Sequence, residues 1–514
     1  MAWFSPDPLY LPQILDLNAE TRPTQIAFQM EDVSWTWRQL IEKCQRWSGV
    51  LESLGLRHGN RVAVVMENSP ETLVSLLGTI YGGFVAVPIN TAVTDETVVG
   101  MLNDSEASVL VCNEPHAARL DALTGDLEHL CARVSSDAHR DWHLFDDLMD
   151  QTTPRARAAS VDGTDECNII YSSGTTGLPK GIVHDHRCRS AWAYDMAIAL
   201  HYHPTANTLC TLGLYSNITW VAMLATLLAG GTLHVMRRFD VDDTLRYVDE
   251  HHISHTAMVP VQLQRMLESD ALNAADLGSL ESLMCCGSPL APSVKQAVID
   301  AFGHAFLELY GLTEGLVTVL QPKDMTDRLT SVGKPSPGQS IVILDDKDRV
   351  CAVGESGEIV GHGPLQMAGY HARDDANEAA TWVDADGRRW LRTGDIGKFD
   401  EAGYLYLVDR KKDMIISGGQ NIYPADIEAV VITHAAVNEV AVIGVHSDRW
   451  GETPFAVYVG SGDSSDVIEW TNTRVGKQQR LAGAAQVDAL PRNPNGKVLK
   501  RELREFYKDA LHRA

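Results

Sequence analysis

Residues 171–181 read YSSGTTGLPKG and follow the apolar run Asn168-Ile169-Ile170. These eleven residues hold three glycines, two serines, two threonines and one lysine. Glycines let a backbone turn tightly and approach a ligand, hydroxyls offer short-range donors, and Lys180 adds a positive charge. That chemistry suits a polyphosphate. A strand-like run before the loop and an amphipathic stretch after it place it where phosphate loops sit. It is not a Walker A loop, because Pro179 stands before the lysine and Gly181 follows it in place of the Ser or Thr that would hold magnesium. An unliganded Gly-Ser-Thr surface loop has the same composition, and only the rest of the chain separates the two readings.

Outward from the loop, 514 residues exceed what one hydrophobic core usually supports, so at least two domains are expected. The composition, 45% hydrophobic and 22% charged, is that of a globular protein. A formal charge of −25 argues against a nucleic-acid partner, which needs a dense basic face. Anionic ligands would then need locally basic sites. The longest apolar stretch, Ile218 to Ala229, is too short to span a bilayer and ends in Gly230-Gly231, so no transmembrane segment is expected. No secretory signal is evident at the N-terminus. Nine cysteines without CxxC spacing suggest reduced thiols and a cytoplasmic location.

Residues 61–66 read as a buried strand, Pro70 to Tyr81 as a helix and Phe84 to Pro88 as the next strand, which implies a mainly parallel sheet flanked by helices. Cys131 to Glu166 reads as a polar surface connection. After the loop, His184 and His186 lack a third nearby metal ligand, and a structural role is favoured. Leu209 to Leu214 reads as a strand and Ile218 to Leu228 as an apolar helix, where Tyr215, Trp220 and Met223 suit core packing as well as pocket lining. Strands are expected near Val437 to Val445 and Phe455 to Val459, within an α+β unit starting at Asp413.

Further motifs follow in order. They are Cys286-Gly287-Ser288-Pro289-Leu290, Tyr310-Gly311-Leu312-Thr313-Glu314, the run from Leu391 to Glu428 containing Asp395, Arg410, Lys412, Ser417, Gly418 and Gly419, and the terminal Pro491 to Lys497. Together with the loop, this series resembles the adenylate-forming superfamily of acyl-CoA synthetases, peptide-synthetase adenylation domains and luciferases, and it covers essentially the whole chain. The resemblance implies an α/β fold with a large multi-lobed N-terminal AMP-binding domain, residues 1–411, and a small mobile α+β C-terminal domain, residues 412–514.

It also implies a set of roles. Ser172, Ser173, Gly174, Thr175, Thr176 and Gly177 would cradle phosphates, with Lys180 stabilising charge. Gly287, Ser288 and Pro289 would run along the adenine, Tyr310 would stack on it, and Gly311 would let the acyl group approach. Thr313 would donate to the α-phosphate, and Glu314 would hold Mg²⁺ through its carboxylate. Asp395 offers two oxygens to the ribose hydroxyls, and Arg410 would meet ribose and phosphate. Lys412 would be the hinge, and Ser417, Gly418 and Gly419 would flank the CoA path. Lys497, on a tight glycine turn, would bring a mobile point charge to the reacting carboxylate and phosphate.

The acid pocket would include Tyr215, Ser216, Trp220, Cys286 and Leu312. Many coumarate-CoA ligases and luciferases carry His where this chain has Ser216. The Asp that binds an amino-acid ammonium is absent, which argues against an α-amino acid. The implied reaction uses ATP, Mg²⁺ and CoA to convert a hydrophobic aromatic or medium-chain acid into its thioester. Loading of a carrier protein, and a catalytically inert homologue, are the alternatives. Family habit alone implies a homodimer.

Overall fold

The computed structural model describes residues 9–125, 127–172, 179–417, 420–447, 450–461, 463–492, 496–508 and 510. The chain divides into two compact units. One comprises Met1–Leu329, Pro335–Ser340 and His362–Leu391; the other comprises Thr330–Lys334, Ile341–Gly361 and Arg392–Ala514. By compactness the second unit begins before residue 412, since Arg389–Phe399 and Leu405–Arg410 are paired antiparallel strands. A hinge at Lys412 is a matter of motion and not of compactness.

Two large sheets build the first unit. In one, six neighbouring strands run parallel in the order Phe306–Leu312, Ser282–Cys285, His255–Met258, Asn207–Cys210, Thr232–Val235 and Ile26–Met30. In the other, Glu166–Ser172, Val85–Pro88, Arg61–Val65, Val109–Cys112, Ala132–Ser135 and His143–Leu144 are parallel neighbours. Short, almost wholly buried strands, valine-rich in Arg61–Val65, Val85–Pro88 and Val109–Cys112, give this arrangement. The helix Pro70–Tyr81 is buried along its whole length from Thr72 onward. It starts with Pro70 at its first turn and the Ser69 hydroxyl accepting from the Thr72 N–H at 3.1 Å. Its side chains join Trp37, Trp47, Phe28, Val62, Met223 and Leu224 in one core that draws on both sheets.

Three local features differ from the sequence expectation. The residues after the glycine-rich loop form a strand, Lys180–Asp185, antiparallel to Glu166–Ser172, so the loop closes a β-hairpin. The helix His186–Ala199 starts only after that strand, with Asp185 as its cap. KGIVHD carries apolar residues at too few positions for its period to separate strand from helix. Second, the polar segment before the loop contains the strand Ala132–Ser135, the edge strand His143–Leu144 and the helix Phe145–Gln151. Third, the strand at Asn207 stops at Cys210, because Asn68 captures the next turn. Its amide donates to the Leu212 and Met236 carbonyls at 3.0 and 2.8 Å, and its carbonyl accepts from the Leu214 N–H at 2.8 Å.

The second unit has the expected α+β character in its C-terminal part. Strands Val437–Ser447 and Gly451–Gly460 form a long antiparallel pair, and the latter also pairs with Gly483–Gln486, in parallel, and at its start with Ile415–Ser417. Ile427, Val431, Val442, Tyr458 and Val467 fill one face of the sheet, and Ile443, Phe455, Val457, Leu490 and Leu503 fill the other. Among the described residues no helix is long and apolar enough to cross a membrane. All nine cysteines are free.

Candidate active site

In open parallel sheets, ligands bind beyond the carboxyl ends of the strands. Three candidate segments lie there in the first unit. Strand Asn207–Cys210 leads into Tyr215-Ser216, Ser282–Cys285 leads into Cys286 to Pro289, and Phe306–Leu312 carries Tyr310-Gly311-Leu312 and ends at Thr313-Glu314. Gly287 has φ of +102°, and a Cβ there would lie 3.2 Å from Ile218 of the adjoining helix, so this turn needs glycine. The same holds after Glu314. Gly315 has φ of +101°, and a Cβ would collide with the Leu365 carbonyl oxygen at 1.9 Å.

Ser172 and Lys180 are paired residues at the mouth of the hairpin. The Lys180 ammonium sits 4.7 Å from the centre of the Tyr370 ring. The Tyr370 hydroxyl in turn donates to Glu314 Oε1 at 2.9 Å. Burial and the adjacent Glu314 carboxylate raise the Tyr370 pKa, so the phenol stays a donor. Lysine, tyrosine and glutamate thus form a contiguous polar set. Gly369–Tyr370 pairs antiparallel with Val183 and Ile182, which fixes the ring against the lysine. Sequence reasoning missed Tyr370, although a Gly-Tyr pair after the apolar-polar run GPLQMA was the available signal.

Glu314 is half-buried and has accepted one hydrogen bond at Oε1, so its other oxygen fits a hard cation such as Mg²⁺. Replacement of Tyr370 by Phe is expected to slow ATP–pyrophosphate exchange about 10-fold, the loss of one hydrogen bond to a charged group at about 1.5 kcal/mol. Unchanged exchange would leave the phenol a packing role only.

On the pocket side, Tyr215 is partly exposed, and its ring fills the space where a Cβ on Gly213 would stand. Burial raises its pKa. Ser216, at 9% exposure, precedes the helix Asn217–Ala229, and its N–H donates to the Gly213 carbonyl at 2.9 Å. Cys286 is buried and Leu312 half-buried. Trp220 has no exposed surface. Its indole N–H donates to the Leu214 carbonyl at 2.9 Å, and the Arg189 guanidinium lies over its ring, so it supports the turn from behind. Asn68, which clamps this turn, is a second residue the sequence did not reveal.

His184 and His186 are buried, with pKa values lowered chiefly by desolvation, that of His186 to about 4. Neither belongs to a three-ligand cluster among the described residues.

In the second unit Asp395 and Arg410 are cross-strand partners, with Arg410 Nε 3.3 Å from Asp395 Oδ1. The Thr393 hydroxyl accepts from the Asp395 N–H at 3.0 Å and donates to the Ile359 carbonyl at 2.7 Å, which fixes the loop. Lys497 follows Gly496, whose φ is +80°. The surrounding turn is closed by Leu499 N–H to the Pro491 carbonyl at 2.8 Å and Arg492 to the Gly496 carbonyl at 2.6 Å. Burial, then the positive charges of Arg410 and Lys412, push the Lys497 pKa down to about 8, against the pull of Asp395 and Asp413. Lys412 is exposed in the turn between Leu405–Arg410 and Ile415–Ser417, and Ser417 is buried. Ser173, Gly174, Thr175, Thr176, Gly177, Gly418 and Gly419 lie outside the described residues.

The sequence model of the AMP-binding enzyme family matches residues 15–371, and that of the AMP-binding enzyme C-terminal domain matches residues 426–497. The chain therefore belongs to the AMP-binding enzyme family. It is similar to the long-chain-fatty-acid–CoA ligase FadD13 of Mycobacterium tuberculosis, 32% identical over 93% of this chain and 94% of that protein. It is also similar to a feruloyl-CoA synthase of an Amycolatopsis species, 31% identical over 95% and 97%. Among solved structures, ATP-bound MatB from Rhodopseudomonas palustris superposes with a TM-score of 0.89 at 27% identity, covering 98% of this chain and all of that one.

Proposed function

We propose that the chain is an ATP-dependent carboxylate–CoA ligase of the AMP-forming kind. A carboxylate oxygen of the acid attacks the α-phosphorus of ATP, and pyrophosphate leaves. The CoA thiol then attacks the acyl carbonyl, and AMP leaves with the bonding pair. The observation that carries this reading is the Lys180–Tyr370–Glu314 set at the carboxyl ends of the sheet strands, beside Thr313. A magnesium ion bound there would neutralise phosphate charge. Lys180 and Lys497 offset the negative charge that grows on the phosphorus oxygens, Thr313 donates to the α-phosphate, and Asp395 and Arg410 hold the ribose. Tyr215, Ser216, Cys286 and Leu312 bear no charge, which supports a hydrophobic aromatic or medium-chain acid.

The test is AMP release from ATP with and without CoA, using benzoate, ferulate, cyclohexanecarboxylate and dodecanoate. CoA-stimulated turnover on one of them supports the ligase. Pyrophosphate exchange without CoA stimulation would favour a carrier protein as acceptor. Absence of exchange on every acid would count against an active enzyme.

Lys412 is the hinge in this reading, its backbone torsions changing between the half-reactions. Proline at 412 fixes φ. Lys412→Pro is expected to spare adenylation while slowing thioester formation roughly 10-fold or more. Full overall turnover would place the hinge elsewhere.

A further inference from the structure

Arg189 is buried at 1% exposure, yet among the described residues it makes no ion pair with a carboxylate. Desolvation lowers its pKa to about 10, which leaves it charged at neutral pH. A buried cation without a counter-ion is costly, and such groups persist where they serve a site. Each of its three nitrogens is engaged by a neutral acceptor. Nε donates to Asn168 Oδ1 at 2.7 Å, Nη1 to Asn217 Oδ1 at 3.0 Å and Nη2 to His184 Nδ1 at 3.1 Å, and the guanidinium carbon lies 5.0 Å from the centre of the Trp220 ring.

A guanidinium can only donate, so His184 Nδ1 is an acceptor and the ring proton resides on Nε2. His184 Nε2 lies 2.8 Å from the Thr313 carbonyl oxygen and must donate to it. Burial and the adjacent Arg189 charge both disfavour protonation of Nδ1. Asn168 is on the strand entering the phosphate hairpin, His184 is on the strand leaving it, and Asn217 opens the helix behind the acid-pocket turn. One side chain therefore meets all three elements, and through His184 it meets the Thr313-Glu314 turn.

We propose that Arg189 and His184 are positioning residues that hold the Thr313-Glu314 turn by the Thr313 carbonyl and tie it to the start of the acid-pocket helix through Asn217. This rests on the ligase reading. His184 acts on the nucleotide side only, whereas Arg189 acts on both the nucleotide and the acid side.

The test is ATP–pyrophosphate exchange with whichever of benzoate, ferulate, cyclohexanecarboxylate and dodecanoate supports the fastest wild-type rate. The variants are His184→Leu, His184→Gln, Arg189→Met and the double variant His184→Leu with Arg189→Met. His184→Leu is expected to lower kcat about 10-fold with the acid KM unchanged, the effect of one lost hydrogen bond on the reacting turn. Glutamine can still donate to the Thr313 carbonyl, so His184→Gln should recover most of that loss. Arg189→Met should lower kcat similarly and also raise the acid KM several-fold, with the double variant no slower than Arg189→Met alone. In ¹⁵N-histidine-labelled wild-type enzyme, the resonances lost in His184→Gln should be a pyridine-like Nδ1 and a pyrrole-like Nε2.

Wild-type kcat in His184→Leu, equal damage in the leucine and glutamine variants, or the opposite tautomer would each overturn the proposal. The tautomer measurement and the two His184 variants decide even where Arg189→Met does not fold. Absence of wild-type exchange on all four acids would instead remove the ligase reading, with the tautomer still testing the His184 contact.

Discussion

Replacing Lys497 with alanine is expected to slow acyl-adenylate formation by roughly 10² to 10³-fold, about 3 to 4 kcal/mol of transition-state stabilisation, while thioester formation from supplied acyl-adenylate keeps its rate. The argument is electrostatic. Negative charge grows on the phosphorus oxygens during the first half-reaction, and a point charge on a tight turn meets it without reorganisation. The second half-reaction expels AMP from a carbonyl carbon and has no such demand on this lysine. Equal damage to both halves would show that Lys497 holds the structure and does not serve one step.

The same residue sets a pH dependence. Its pKa lies near 8 in the absence of ligand, held down by burial and by Arg410 and Lys412. Below that value the ammonium is present and adenylation runs fully; above it the neutral amine accumulates and the charge is lost. The kcat/KM of adenylation, which reports the free enzyme, should therefore fall on an alkaline limb centred near pH 8. Arginine stays charged across that range, so the limb should vanish in Lys497→Arg whatever its absolute rate.

Glu314→Gln is expected to slow adenylation about 10²-fold and to raise the magnesium concentration needed for half-maximal rate, because a neutral amide replaces a carboxylate ligand. This substitution isolates charge. The amide oxygen can still accept from the Tyr370 hydroxyl, which now donates to Oε1 at 2.9 Å, and the Glu314 carbonyl still accepts from the Met367 N–H at 2.8 Å. The loss should accordingly exceed that of Tyr370→Phe, which removes the hydrogen bond and leaves the charge. A normal magnesium titration in Glu314→Gln, even with a reduced rate, would assign the carboxylate to shaping the turn.

Much of this arrangement was legible in the sequence because its chemistry is concentrated in short runs at strand ends. Tyr310 to Glu314 and Gly287 to Pro289 stood out as motifs, and the strands at Arg61–Val65 and Val85–Pro88 announced themselves as Val-rich segments. Residues that act through distant partners were not legible. Tyr370 is unremarkable until it meets Glu314, 56 positions away, and Asn68 until it meets Leu212, 144 positions away. Arg189 stands in no motif of the sequence. Its role depends on Asn168, Asn217 and His184 converging on it, which no periodicity encodes. The strands near residues 132 and 143 escaped notice because four and two residues are too few to display a period.

The β-hairpin around the glycine-rich loop carries one more consequence, which concerns parity. Successive side chains of a strand point to opposite faces, so a slip of one residue turns every side chain over. Lys180 faces Tyr370 only while Ser172 is its partner and Tyr171 pairs with Gly181. Deletion of one residue from Lys180–Asp185 would shift that register and present a neighbour in place of the lysine. The strand must keep count.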